Sequence, residues 1–121
     1  MPGEVLQERL QLILEHASVF EERVQKSNAE NSFLESKEGV MLVDSLITRL
    51  QALAENVKKI QKSDPVFFRD QLPLDVHPII RFRDLVSHHY EMLDQAMVLQ
   101  ICKLHVPPFA AAVQTYLKSW E

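Results

Sequence analysis

Apolar residues at the start of the chain recur at alternating steps of four and three, the period of a helix that buries one face. Leu6, Leu10, Ile13, Ala17, Phe20 and Val24 form that row and predict a first helix from Glu4 to about Lys26. Val5, Leu12 and Val19 repeat every seven residues beside it, so the apolar face is wider than a single antiparallel neighbour covers. Two arrangements account for that width equally well: burial against two neighbours in one bundle, or a second contact surface on the outside. From Ser27 to Ser36 the row breaks at Asn28, Asn31, Ser32 and Ser36, whose side chains compete with a helix for backbone hydrogen bonds. The segment reads as a connection, with Phe33 and Leu34 tucked onto the core.

Ser36 is placed to cap a second helix running to about Lys62, in which Val43, Ile47, Leu50, Ala54 and Val57 keep the helical period. Leu46, Leu53 and Ile60 add a parallel stripe, again more than a narrow face needs, and the extra stripes of both helices are expected to serve as outward contact surfaces between two chains. Asp64-Pro65 combines a capping acid with proline at the first helical position, and Pro73 stops the segment within about two turns, predicting a short connecting helix. Phe67, Phe68 and Leu72 should let it close one end of the bundle. His77-Pro78 opens a third long element, with Ile79, Ile80, Phe82, Leu85 and Val86 on its buried side and Arg81, Arg83 and Asp84 on its polar side. Asp94 can cap a fourth helix through Ile101 and Cys102 that ends before Pro107-Pro108. Phe109, Ala112, Val113, Tyr116 and Leu117 then predict a last helix from about Pro108 to Trp120.

Composition agrees with an all-α domain. The chain has 121 residues and only two glycines, too few for the tight turns of a strand-rich fold, and its length suits one domain over residues 1–121 with a single core. Cys102 is the only cysteine, so no intrachain disulfide is possible and a reduced compartment is the simpler setting. No basic leader precedes an apolar run and no stretch approaches the roughly 20 apolar residues that span a bilayer, which points to a soluble, cytoplasmic protein without a membrane partner. The net charge of −4 argues against general nucleic-acid binding, so any polynucleotide contact must be local.

The densest group of ionisable side chains is Arg83-Asp84-Leu85-Val86-Ser87-His88-His89-Tyr90. A permanent cation, an imidazole that titrates near neutral pH and a phenol suit the handling of phosphate. The plain alternative is a polar helix end, with Arg83 paired to a nearby acid and the histidines solvated. At about 100° per residue Arg83 and His88 lie about 140° apart on a regular helix. Either the helix ends near Ser87 and the histidines swing round, or a working site takes residues from two chains. Nothing competes with this group: the chain has no glycine-rich phosphate loop or Cys-x-x-Cys. His16, His77 and His105 lack a metal-ligand partner at helical spacing, and adjacent His88 and His89 would point apart, so neither metal nor cofactor is expected.

These residues resemble the HEPN domains, and within them the HepT-like toxins found beside a minimal nucleotidyltransferase antitoxin. That family carries an arginine, four to six residues and a histidine, often with Asn, Asp or His directly after the arginine and a tyrosine two places beyond the histidine. Arg83, Asp84, His88 and Tyr90 match it position for position. The likeness runs from about Phe33 to Val113. The stretch Leu50 to Lys59 resembles the family's Ile-Gly-Glu-Ala helix with Glu55 kept, Ile79-Ile80 match its apolar pair, Asp94 stands four places after the tyrosine, and Val106-Pro107 resembles its Leu-Pro. Ala54, Asn56 and Val76 depart from the pattern at positions concerned chiefly with packing, Arg81 replaces a small residue, and Asp84 offsets part of the field of Arg83.

The resemblance implies an up-and-down four-helix bundle with a short additional helix, a symmetric homodimer, and a metal-independent endoribonuclease site in the dimer cleft. Arg83 and His88 would be catalytic, Asp84 and Glu55 supporting. It also implies an RNA substrate, a cognate nucleotidyltransferase partner, and silencing by transfer of AMP to Tyr90. The chemistry is coherent: cleavage through the 2′-hydroxyl needs a base, an acid and a cation for the charged phosphoryl intermediate. Two other classes fit the residues, a non-catalytic subunit presenting a nucleotide or Tyr90 to the partner and a dimeric helical scaffold. The acidic net charge favours the former, and the intact Arg83, His88 and Tyr90 set favours the enzyme.

Overall fold

The computed structural model describes residues 3–28, 37–89 and 95–120, and the side chains of these apart from 23–28, 37–40, 42–43, 87–89 and 95–102. Within them the chain forms α1 (Glu4–Asn28), α2 (Lys37–Ser63), a single π-helical turn (Phe67–Gln71), α3 (His77–His89) and α4 (Gln95–Lys118). No strand occurs among the described residues. The all-α fold expected from the periodicity is the fold found, arranged as the up-and-down bundle that the resemblance implies, and α1 and α2 start and stop within two residues of the bounds expected for them. Of the connection expected from Ser27 to Ser36, Ser27 and Asn28 still belong to α1, and the rest, with Phe33 and Leu34, lies outside the described residues, as do Tyr90 and Asp94.

Helix α2 is the central element, packing against α1, α3, α4 and the π-turn, whereas α1 packs chiefly against α2 and α4. This difference decides the fate of the two extra apolar stripes. Leu46, Leu53 and Ile60 are all buried within the bundle, together with Ile47, Leu50, Ala54 and Val57. They are core, so the reading of this α2 stripe as an outward contact surface is corrected: a helix with neighbours on several sides needs a wide apolar face. On α1, by contrast, Val5 is 60% and Leu12 42% exposed, while Leu10, Ile13, Ala17 and Phe20 are buried. Each fully buried Leu or Ile contributes about 1.5–3 kcal/mol relative to exposure, so the α2 stripe stabilises the bundle from within.

The link between α2 and α3 is tighter than a two-turn helix. The helical turn starts at Phe67 with an uncapped Val66 before it, so Asp64 and Pro65 are not the cap and first helical position expected of them. Asp64 instead accepts from the Val66 amide through Oδ1, at 3.3 Å, and closes a local turn. Its backbone oxygen also accepts from Phe67 at 3.1 Å, and the amide of Leu72 donates to the carbonyl of Phe67 at 2.9 Å. That wide turn, in place of the expected α-helix, buries the adjacent Phe67 and Phe68 together, edge to face with centroids 5.0 Å apart. Tyr116 meets Phe67 from the other side at 5.6 Å, so the turn closes one end of the bundle as its sequence suggests. Asp75 then accepts from the amide of His77 at 3.1 Å and starts α3.

A second correction concerns the C-terminal third. No break occurs at Pro107-Pro108; both lie inside α4, which is one helix from Gln95 to Lys118. Proline in a helix interior removes a backbone donor and costs about 3 kcal/mol. Here Lys103, Leu104, Pro107 and Pro108 are all exposed, so water reaches the side of the helix that loses its hydrogen bonds. Val106, Phe109 and Val113 hold the opposite side in the core. Burial overrides the local breaker.

Among the described residues a polar contact joins α1 to α2. Arg49 Nη1 donates to His16 Nδ1 at 3.1 Å, which requires that nitrogen to be unprotonated. Burial first, and the Arg49 charge second, lower the pKa of His16 from its ordinary 6.5, with Glu15 opposing. The unfolded chain therefore binds this proton at a higher pH than the folded one, and stability rises with pH between the two values. The contribution is complete above about 6.5 and is lost as pH falls through the lowered folded value. Melting temperature should thus drop more steeply between about pH 7 and pH 5 in the wild type than in His16→Gln. Identical profiles for the two proteins would show that this pair does not titrate with folding.

Candidate active site on helix α3

Phe82 and Val86 anchor α3 in the core, and Ile79 does so one turn earlier. With these three facing inward, residues 83 and 84 fall at the edge where α3 meets α2. Arg83 is largely covered, its side chain 23% exposed. Its Nε donates to Glu55 Oε1 on α2, and its Nη2 lies against the same oxygen. On its other side Nη1 donates to Asp84 Oδ1 at 3.2 Å. The same Asp84 oxygen accepts from Lys58 Nζ, one turn along α2 from Glu55, at 3.5 Å. Four side chains from two helices thus form one alternating network in the order Glu55, Arg83, Asp84, Lys58.

This network gives the guanidinium a fixed plane. A planar fork held along one edge by Glu55 has a defined direction, the requirement for recognising a phosphate with two parallel hydrogen bonds. Both flanking carboxylates also compete with an incoming anion, Asp84 more weakly, since it is half exposed and shared with Lys58. Arg83, Asp84 and Glu55 thus lie in one contact network. Lys58 is a member that sequence reasoning does not single out; its only signal is its position one turn after Glu55.

Helix α3 continues unbroken to His89. Of the two arrangements that could bring Arg83 and His88 to one site, a helix ending at Ser87 is thus not the one adopted. Along a continuous helix the two positions lie about 140° apart in direction and about 7.5 Å apart along the axis. Residues 84 and 88 share a face instead, one turn apart. Tyr90, the expected AMP acceptor, lies outside the described residues.

Among the described residues no three His, Cys, Asp or Glu side chains group as metal ligands. Among them, too, no helix is long and apolar enough to cross a membrane. A family model described as "Ribonuclease HepT-like" matches residues 13–116, which takes in Glu55, Arg83, Asp84, His88 and Tyr90. No curated protein and no solved structure matches the chain significantly.

Proposed function

From the premise that this chain belongs to the HepT-like ribonuclease family, we propose that it is the toxin half of a toxin and antitoxin pair, a metal-independent endoribonuclease that works as a homodimer. A base removes the proton of the RNA 2′-hydroxyl, and the oxygen attacks the adjacent phosphorus. The bond from phosphorus to the 5′-oxygen breaks, leaving a 2′,3′-cyclic phosphate, and an acid returns a proton to the departing oxygen. In each composite site the His88 of one subunit supplies one of these two proton transfers and a water molecule the other. Arg83 neutralises the charge that builds on the phosphoryl oxygens, Glu55 holds its plane, and Asp84 restrains it.

The observation that carries this reading is the guanidinium of Arg83, fixed by Glu55 at the surface of a helix that stays regular through His89. Two copies related by a two-fold axis near His88 can join an arginine to a histidine that one helix keeps apart. The outward Val5 and Leu12 on α1 offer apolar area for association. A second reading, a non-catalytic subunit that binds a nucleotide or the antitoxin, is favoured by the two carboxylates already on Arg83.

One assay separates these. Purified protein in EDTA should cleave RNA and leave 2′,3′-cyclic or 3′-phosphate ends. RNA left whole by a protein that nonetheless binds nucleotide would favour the non-catalytic subunit, and ends bearing 3′-hydroxyls would rule out the 2′-hydroxyl route.

A further inference from the structure

We infer that Lys58, Lys59 and Lys62 form a track on α2 that binds the RNA backbone beside the scissile phosphate. The inference rests on the ribonuclease reading and specifies how that same site holds its substrate. Together with Glu55 these lysines occupy positions i, i+3, i+4 and i+7, which fall on one face of a helix. With Glu55 and Gln61 they border an open groove of about 530 Å³. Glu55 belongs both to this groove and to the Arg83 contact, so the groove opens directly onto the candidate site. From residue 55 to residue 62 the helix rises about 10 Å.

Two ordinary explanations for surface lysines fall short here. Cations at a helix C-terminus answer the helix dipole, but that effect fades within the last turn and so accounts for Lys62 alone. Ion pairing accounts for Lys58 through Asp84. Among the described residues no carboxylate lies within ion-pair distance of Lys59 or Lys62. In a chain with 17 acidic and 13 basic side chains, three lysines within five positions without an interposed acid make a local positive surface on an acidic protein. A single-stranded polyanion entering the site would find its flanking phosphates matched by mobile ammonium groups, a contact that needs charge and no fixed geometry.

The test compares wild type with Lys59→Gln/Lys62→Gln on two substrates, a dinucleoside monophosphate and a fluorescent single-stranded RNA of about 12 nucleotides, long enough to extend past the site. The double variant should cleave the dinucleotide as wild type does and lose tenfold or more in kcat/KM on the longer RNA at low salt. Binding of a single strand weakens with salt by a log–log slope of about 0.7 per neutralised phosphate, so the slope should flatten by about 1.4 in the double variant. Lys59→Arg/Lys62→Arg should restore both values, because the charge returns. Unchanged binding and salt slope in the Gln variant would overturn the track, whether or not the protein cleaves RNA. Equal losses on both substrates would overturn it as well, by placing the lysines in the chemistry or in the fold. A wild type that cleaves neither substrate, yet binds the longer RNA in a way that the Gln variant does not, supports the track and sinks the ribonuclease reading.

Discussion

Arg83→Ala and His88→Ala should each abolish RNA cleavage when pure, and a mixture of the two should recover it. Loss of the guanidinium removes charge stabilisation worth about 10²–10³ in rate, and loss of the imidazole removes a proton transfer worth about 10²–10⁴. The recovery comes from the geometry of α3. Because the helix is regular through His89, a site that joins the two residues would, in the proposed dimer, draw one from each subunit. In a mixed dimer one subunit then keeps its arginine and the other its histidine, and one composite site is intact. Equilibration of the subunits at micromolar concentration, followed by assay, should give activity well above the sum of the separate variants. Light scattering on the same samples should report twice the chain mass. A mixture as inactive as its parts, in a sample that is dimeric, would mean that each chain uses its own arginine and histidine; a clean monomer that cleaves RNA would remove the composite site altogether.

The same helical period that made α1, α2 and α3 legible left their surroundings undetermined. Val5 and Leu12 on α1 and Leu46, Leu53 and Ile60 on α2 look alike in sequence, each a row repeating every seven residues. They have opposite fates because α2 has neighbours on several sides and α1 on fewer, and the number of neighbours is a property of the assembled bundle. Pro107 and Pro108 are a helix stop by every local rule, yet Val106, Phe109 and Val113 hold the helix through them from the far side.

The site shows the same division. Arg83, Asp84 and His88 are close in the chain and could be found by their spacing, whereas Glu55 meets Arg83 from 28 positions away. Only likeness to a family pointed to it. Arg49 reaches His16 across 33 positions, and no periodicity or motif marks that pair. Charges that meet through folding leave no trace in local sequence, because what selects them is the register of one helix against the next.

Co-expression with the partner nucleotidyltransferase should add adenylate to Tyr90 and silence the protein, and Tyr90→Phe should escape both. The phenol oxygen would attack the α-phosphorus of a nucleoside triphosphate, forming a phosphodiester to the tyrosine and releasing pyrophosphate, with the phenolic proton lost to solvent or to a base of the partner. Each adenylate brings a phosphate's negative charge to a position two residues beyond His88. The network around Arg83 decides where that charge can bind. Glu55 occupies one edge of the guanidinium and Asp84 holds Nη1 through a contact that is half exposed and shared with Lys58, so a tethered phosphate competes with Asp84 far more readily than with Glu55. Being attached, it competes at an effective concentration that free RNA cannot match, and it would occupy the arginine as a substrate phosphate does. Silencing would then be occupancy of the cleft with the fold unchanged. Intact mass should rise in steps of one adenylate, peptide mapping should place the addition on Tyr90, and RNA binding should fall together with cleavage. If the partner silences Tyr90→Phe as completely as wild type and no adduct forms on either, inhibition works by direct coverage of the cleft, and the tyrosine serves the fold alone.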